Sequence, residues 1–390
     1  MAQEASFDDA RLIQLPEPTD DLNELRAMEK AGTLHPLKSA PKAAKSAAPQ
    51  IADDFVVFGY VQSEGIVPHL RWHALTHVGT IFIDFNSSGA FTNASSFTGR
   101  SSFLKAGGAA EAAGVKVLAT VRNAGFNQAT LDTVMQSASL RETLADNIAS
   151  LVMSDAYCHG VNLDFEPSWG TTTRDGITQF LIYLRTVLPS PYEITLYTHP
   201  IYSSTYWNIP AIEPHIDWMN YSAYPWAGSW STTTRAITDA DSFLPQVQSY
   251  MNAGLPPEKM VLTLGTYGRV WTTNTPGYGA TIHADGFSIG FTDGLHDTTL
   301  STQNSGPHTN NYVTGDETGW YSFNDGNNRT AVWEDPRAME YKLRQALSHT
   351  SSGKRLRGVG FWSLMWLAET SSINPLTGGS VSRTRTYPHA

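Results

Sequence analysis

An α/β chain wound as a (β/α)8 TIM barrel is the fold class the sequence predicts, and three observations carry it. Eight short apolar runs recur between residues 55 and 364. The segments between them hold apolar residues at helical spacing, and parallel strands need crossovers of that kind. One long interruption follows the seventh run, on the side where strand-to-helix loops build the active face of such barrels.

The runs are 55–61, 78–85, 115–121, 160–166, 193–198, 216–221, 260–267 and 358–364, each of strand rather than helix length. Before the fourth, Ser139 and Glu142 have capping-box spacing, and Leu140, Leu144, Ile148 and Leu151 form one stripe. Before the eighth, Asp335 and Pro336 put a cap ahead of a first-turn proline, followed by Met339, Leu343 and Leu347. Both helices are expected on the outside of the barrel.

The segment 272–332, rich in Gly, Thr, Asn and His, is too long for an ordinary loop. It predicts a small insertion subdomain between strand seven and its helix, walling one side of the cleft. Residues 1–52 hold a short acidic helical candidate around Asp20 to Lys30 and an Ala/Pro/Lys/Ser linker over 39–49. That composition buries too little to offset chain entropy, so these residues read as a flexible N-terminal arm, open to docking on a protein partner. The barrel domain is then 53–375, with a C-terminal tail over 376–390.

Composition narrows the function. Hydrophobic residues at 41% supply a full core, while charged residues at 16% leave a surface built largely of Ser, Thr, Asn and Gly. Such surfaces are common on secreted carbohydrate-active proteins, which points to an extracellular or cell-envelope location. A net charge of -10 repels a phosphate backbone, so nucleic acid is not an expected partner. Cys158 stands alone, excluding an internal disulfide. No apolar run reaches bilayer-spanning length, and Met1-Ala2-Gln3-Glu4-Ala5 lacks the features of a signal peptide. Either a leader has been removed or export follows another route. The twelve histidines show no short-spaced pair on a helix face, and Gly107-Gly108 lacks a phosphate-loop context, so neither a metal nor another cofactor is expected. His199, at the end of the fifth run, can reach the cleft, though a structural role is the favoured reading.

The chemistry lies in His159-Gly160-Val161-Asn162-Leu163-Asp164-Phe165-Glu166. Side chains alternate across a strand, so Gly160, Asn162, Asp164 and Glu166 share one face and Val161, Leu163 and Phe165 the other. A glutamate at the carboxyl end of a barrel strand sits where substrates bind. Periodicity alone leaves open a purely structural network of Asn and carboxylates.

This segment resembles the D-G-x-D-x-D-x-E signature of the family 18 glycosidases, the chitinase-like barrels, with Asp164 and Glu166 matching its last two acids. Trp218-Met219-Asn220-Tyr221 is similar to the family's M-x-Y. Leu264-Gly265-Thr266-Tyr267-Gly268-Arg269-Val270-Trp271 is similar to its L-G-x-x-Y-G-R-x-W, and Gly358-Val359-Gly360-Phe361-Trp362-Ser363-Leu364 to its G-x-x-F-W-S-L. Four motifs in order, covering roughly residues 55 to 370, are strongly specific.

The resemblance implies that Glu166 protonates the leaving oxygen and that Asp164 orients the substrate's acetamido group. It implies that Tyr221 hydrogen-bonds that group, with Met219 beside it, and that Trp362 floors the pocket lined by Tyr60, Tyr267 and Arg269. The implied partner is a polysaccharide or oligosaccharide containing N-acetylglucosamine. His159 and Asn162 replace the first two acids of the signature, Ser222 follows Tyr221 where relatives carry Asp, and Val121-Arg122-Asn123 replaces S-x-G-G. Asn162 can still donate a hydrogen bond to Asp164. Gly-Val-Asn-x-Asp-Phe-Glu resembles the branch of spore-cortex-lytic glucosaminidases and chitobiase, so peptidoglycan stands beside chitin as a substrate. The rival from another class is a carbohydrate-binding protein that kept the barrel and lost turnover. Retention of both Asp164 and Glu166 argues for the enzyme, because binding alone needs no proton donor.

Overall fold

Strands form where the apolar runs fall, because β-branched and aromatic residues there meet helices outside and a packed lumen inside. The computed structural model describes residues 55–62, 64–80, 82–166, 169–290, 311–324, 326–334, 336–348 and 355–364, so the arm expected over 1–52 and the tail over 376–390 lie outside it. In chain order the first strands are β1 Val56–Tyr60, β2 His77–Gly79, β3 Ile83–Phe85, β4 Lys116–Asn123, β5 Gly160–Asp164, β6 Glu193–Thr198, β7 Trp218–Ser222 and β8 Met260–Gly265. A second set follows, β9 Tyr267–Thr273, β10 Ile282–Gly290, β11 Asn311–Val313, β12 Thr318–Asn324 and β13 Asn328–Trp333, before β14 Gly358–Trp362.

The parallel strands run β2-β1-β14-β8-β7-β6-β5-β4-β3, and β2 also pairs with β4, which closes the ring. The second run is broken: β2 and β3 both lie against β4 and together fill one of eight barrel positions. Val56, Phe58, Tyr60, Leu118, Trp218 and Val261 pack the lumen as a solid core rather than a pore. Gly160 opens β5 because a side chain there would meet the Glu193 carbonyl at 2.1 Å.

The helices are α1 Ser95–Thr98, α2 Ala109–Ala112, α3 Gln128–Met135, α4 Ala138–Ser154, α5 Thr171–Val187, α6 Ile209–Ile212, α7 Ala240–Asn252 and α8 Pro336–Ser348. Helix α4 starts one residue before the expected cap, so Ser139 lies inside its first turn and Ser137 stands at the boundary without a capping bond. Its buried face is Leu144, Ala145, Ile148, Ala149 and Val152, with Leu140 and Leu151 at the margins. Helix α8 begins at Pro336; Asp335, the expected cap, falls outside the described residues. It buries Ala338, Met339, Lys342 and Ala346, and the Lys342 ammonium is ion-paired with Glu334. Among the described residues no helix is long and apolar enough to cross a membrane.

The chain leaves the barrel after Gly265 and enters a five-stranded antiparallel sheet, β10-β9-β13-β12-β11. This sheet opens at Tyr267, five residues before the expected insertion, so the Tyr267-to-Trp271 part of the seventh motif belongs to β9. One face buries Val270, Ile289, Tyr321, Phe323, Ala331 and Trp333. On the other, Trp271 and Val332 pack with Tyr224, Ala227 and Ile237.

Candidate active site

Strand parity places the acids. Thr120 and Arg122 of β4 partner Asn162 and Asp164 of β5, and all four side chains share the inward parity of lumen residue Leu118. Glu166 lies two residues past the end of β5, where the ladder no longer holds it. Asn123 does so instead: its Oδ1 accepts from the Glu166 N–H at 3.2 Å, and its amide donates to the Glu166 carbonyl.

Asp164 is 3% exposed, and its Oδ1 has no hydrogen-bond partner. Burial and then the Glu166 carboxyl push its pKa well above the ordinary aspartate range, while Arg122 pulls it back. Glu166 is half-buried, and burial pushes it up to about 7, again against Arg122. Two carboxyls this close in a dry pocket cannot both ionise cheaply, so one proton is held at neutral pH. The arrangement suits a general acid.

Aromatic rings line the approach. Half-buried Trp362 meets Tyr60 edge-on at 5.1 Å and lies nearly parallel to Phe82 at 6.0 Å. Half-buried Tyr267 and Trp362 both pack on the cluster containing Tyr224 and Trp271, and Tyr267 meets Tyr224 edge-on at 6.2 Å. Tyr197 of β6 is buried and acted on by both Glu166 and Asp164. On the neighbouring loops His199 packs among Trp169, Tyr197 and Tyr206, with ring centroids 5.0 to 5.9 Å away.

The expectations for four residues change. Asn162 does not reach Asp164: its amide donates to the Tyr60 hydroxyl at 3.1 Å, and its carbonyl accepts from Thr195 at 3.0 Å and Asn220 at 2.8 Å. Asn220 also donates to Tyr60 at 3.3 Å and accepts from Thr263 at 3.3 Å. Tyr60, Asn162, Thr195, Asn220 and Thr263 thus form a fully buried polar ring beneath the acids. Tyr60 therefore supports the floor from below rather than lining the pocket.

Tyr221 and Met219 face away from the pocket. The Tyr221 hydroxyl points at the carbonyls of Pro200 and Phe243, at 2.9 and 3.3 Å, and its ring packs on Tyr250 of α7. Inward-facing Trp218 and Asn220 fix the parity of β7, which places 219 and 221 toward the helices. The same parity carried forward brings Tyr224 to the mouth, where its phenol is acted on by Tyr60, Tyr197 and Tyr267. Trp-Met-Asn-Tyr-Ser-Ala-Tyr carries the signal for this, since a buried Asn220 marks the inward parity of the strand. Arg269 lies at the margin, ion-paired across the hairpin with Asp285.

Cys158 is buried, which raises its thiol to about 11 and leaves it no thiolate for nucleophilic work. Among the described residues no group of three His, Cys, Asp or Glu is arranged to hold a metal ion.

Comparison with known proteins agrees in kind. A family model described as glycosyl hydrolases family 18 matches residues 56–365. A class V chitinase of Arabidopsis thaliana is 26% identical over 203 residues, which is 45% of this chain and 53% of that protein. A chitinase-like mite allergen of Dermatophagoides farinae, Der f 18.0101, is 34% identical over 65 residues, 17% of this chain and 14% of the allergen. The chain thus spans about half the length of one of these relatives and a seventh of the other. Among solved structures, the group IV chitinase of Ostrinia furnacalis in complex with allosamidin superposes with a TM-score of 0.69 at 16% identity, covering 80% of this chain and 93% of that one. The chitinase of Cycas revoluta in complex with (GlcNAc)3 gives 0.66 at 20%, covering 80% and 95%. At such identities these two establish the shared fold.

Proposed function

The chain belongs to family 18 of the glycosyl hydrolases, and from that premise we propose that it hydrolyses the β-1,4 bond beside an N-acetylglucosamine unit, with Glu166 as the proton donor. The observation that carries the reading is the pairing of a buried Asp164 with Glu166, both raised, two residues apart and approaching from one side. Two residues of extended chain span at most about 7 Å, so the two carboxyls are tethered close together whatever the backbone does past the end of β5. A retaining pair must flank the scissile bond, and an inverting pair must place a base on the opposite face of the ring. Asp164 can do neither. The nucleophile is instead the substrate's own acetamido oxygen, with Asp164 stabilising positive charge on the acetamido nitrogen. Tyr224, rather than Tyr221, is the phenol placed to hold that group, and Trp362 offers its face to the sugar's C–H surface.

Chitin oligomers and peptidoglycan strands both present this sugar, and an extracellular or cell-envelope location accords with either. Mass spectrometry of products from defined chitin oligomers and from purified peptidoglycan separates them. Aryl glycosides of chitobiose and of its N-deacetylated counterpart test the mechanism, together with a thiazoline mimic of the cyclised intermediate. Hydrolysis confined to the N-acetylated substrate, with inhibition by the mimic, is the expected outcome. Equal rates on both, without inhibition, would overturn the roles given to Asp164 and Tyr224.

A further inference from the structure

Three charged residues sit side by side at the barrel mouth. Asp84 of β3 partners Arg122 of β4, which in turn partners Asp164 of β5. Arg122 Nε donates to Asp84 Oδ1 at 2.6 Å, and its guanidinium lies over the rings of Phe82 at 3.9 Å and Phe126 at 4.8 Å. Asp84 is itself held, since its N–H donates to Asn93 Oδ1 at 2.6 Å and the Asn93 amide donates back to Asp84 Oδ2 at 3.3 Å. The Arg122 and Asp84 side chains are 21% and 19% exposed, so the pair opens on the cleft.

We propose that Arg122, held by Asp84, Phe82 and Phe126, is a positioning residue for the reaction that supplies a standing positive charge beside Glu166 as that carboxyl gives up and regains its proton. The inference rests on the reading of Glu166 as the acid. When Glu166 transfers its proton to the leaving oxygen it becomes an anion in a half-dry pocket next to Asp164, and a nearby cation offsets that cost. A direct ion pair would do too much, because it would leave Glu166 ionised at rest and without a proton to give. Restraint by Asp84 and the two ring faces keeps the guanidinium near, yet spends its Nε elsewhere. The effect reaches both acids, each of which Arg122 pulls down against burial.

Among the described residues, the other titratable groups that Glu166 acts on are Tyr60 on β1, Tyr197 on β6 and Tyr267 on β9, and Tyr224 after β7 stands beside these three phenols. Burial raises all four phenols, so they stay neutral in the working range. Arg269 and Glu334 act on Tyr267 from the second sheet and its edge. Among the described residues, the cation that acts on Glu166 is Arg122, which Asp84 holds, and the neighbouring acid is Asp164, on which Glu166 itself acts.

Two substitutions should move the same quantity in opposite directions. Arg122→Met removes the cation, so Glu166 holds its proton longer, and the alkaline limb of kcat/KM moves up by about one pH unit. Asp84→Asn leaves the cation uncompensated and free to lean toward the acids, so the limb moves down. Arg122→Lys keeps the charge and holds the limb near that of the wild type. General damage to the fold lowers rates without opposing shifts of one limb. The experiment is the pH profile of kcat/KM on an aryl glycoside of chitotriose for the wild type and the three variants, with thermal melts alongside. A limb unmoved in Arg122→Met, or moved the same way in Arg122→Met and Asp84→Asn, overturns the proposal. If Arg122→Met does not fold, Asp84→Asn decides it alone: a limb that moves down bears the proposal out, and one that stays in place or moves up overturns it. Absence of wild-type turnover would instead refute the functional reading. Infrared titration of the Glu166 carboxyl, as a difference against Glu166→Gln, then reads the opposed shifts directly, and no shift in either variant overturns the inference.

Discussion

Two glutamates at opposite ends of one barrel show what a buried carboxylate becomes with and without partners. Glu193, at the amino end of β6, accepts from His77 Nε2 at 3.1 Å, from the Lys116 ammonium and from Trp218 Nε1 at 3.2 Å. Burial alone would raise it, but His77 and then Lys116 outweigh that and hold it at about 2. Glu166, at the carboxyl end, is bonded through its main chain to Asn123 and feels the cation of Arg122 only at a distance; burial takes it to about 7. Partnered charge closes the bottom of the barrel and serves stability. Unpartnered charge at the mouth costs stability and is available for chemistry.

The sharpest way to break this contrast is to neutralise each glutamate in turn. Glu166→Gln should lower turnover by about 10³-fold or more, since the amide keeps the shape but has no proton to give. Substantial hydrolysis by the folded variant would remove Glu166 from the acid role. Glu193→Gln should leave turnover largely intact but cost about 1 to 2 kcal/mol in urea unfolding, because the buried donors of His77 and Trp218 lose a charged acceptor while half-exposed Lys116 turns to water. A variant as stable as the wild type would show that the network contributes nothing net.

The two ends should also differ in sign with pH. Glu193 has a folded pKa below its ordinary 4.5, so its contribution is present above 4.5 and is lost as pH falls toward about 2. Glu166 is raised, so the folded state binds its proton more tightly than the unfolded chain does, and stability declines as pH rises from 4.5 to about 7. Glu166→Gln should therefore melt higher than the wild type above neutrality, and Glu193→Gln should flatten the acid limb. Melting curves across pH for both variants check this; parallel curves would refute it.

The smaller effects separate the two tyrosines. Tyr224→Phe should reduce kcat by roughly 10- to 100-fold, the worth of a hydrogen bond to a charged group in the transition state. Tyr221→Phe should leave kcat unchanged and cost about 1 kcal/mol, because it loses only the bond toward the Pro200 and Phe243 carbonyls. The reverse result would mean that the parity of β7 has been misjudged.

What the sequence by itself determined is local and periodic. Alternation in Val161-Asn162-Leu163-Asp164-Phe165-Glu166 put both acids on one face, and Phe165 duly meets Phe85 and Phe180 on the other, at 5.7 and 5.9 Å. Eight apolar runs with helical segments between them were enough for the barrel, since only a few ways exist to bury such strands. What only the tertiary structure decided depends on partners far apart in the chain. Asn162 is claimed by Tyr60, 102 residues away, and Asn220 by both, so the ring beneath the acids has no local signature. Lys342 joins the buried face of α8 because Glu334 waits beside it, against every expectation from hydropathy. Arg122 departs from the family's third-strand motif in sequence, and only the fold brings up Asp84, 38 residues earlier, to hold it. Side-chain period is written along the chain, but which polar groups satisfy one another in a closed barrel is fixed only when its ends meet.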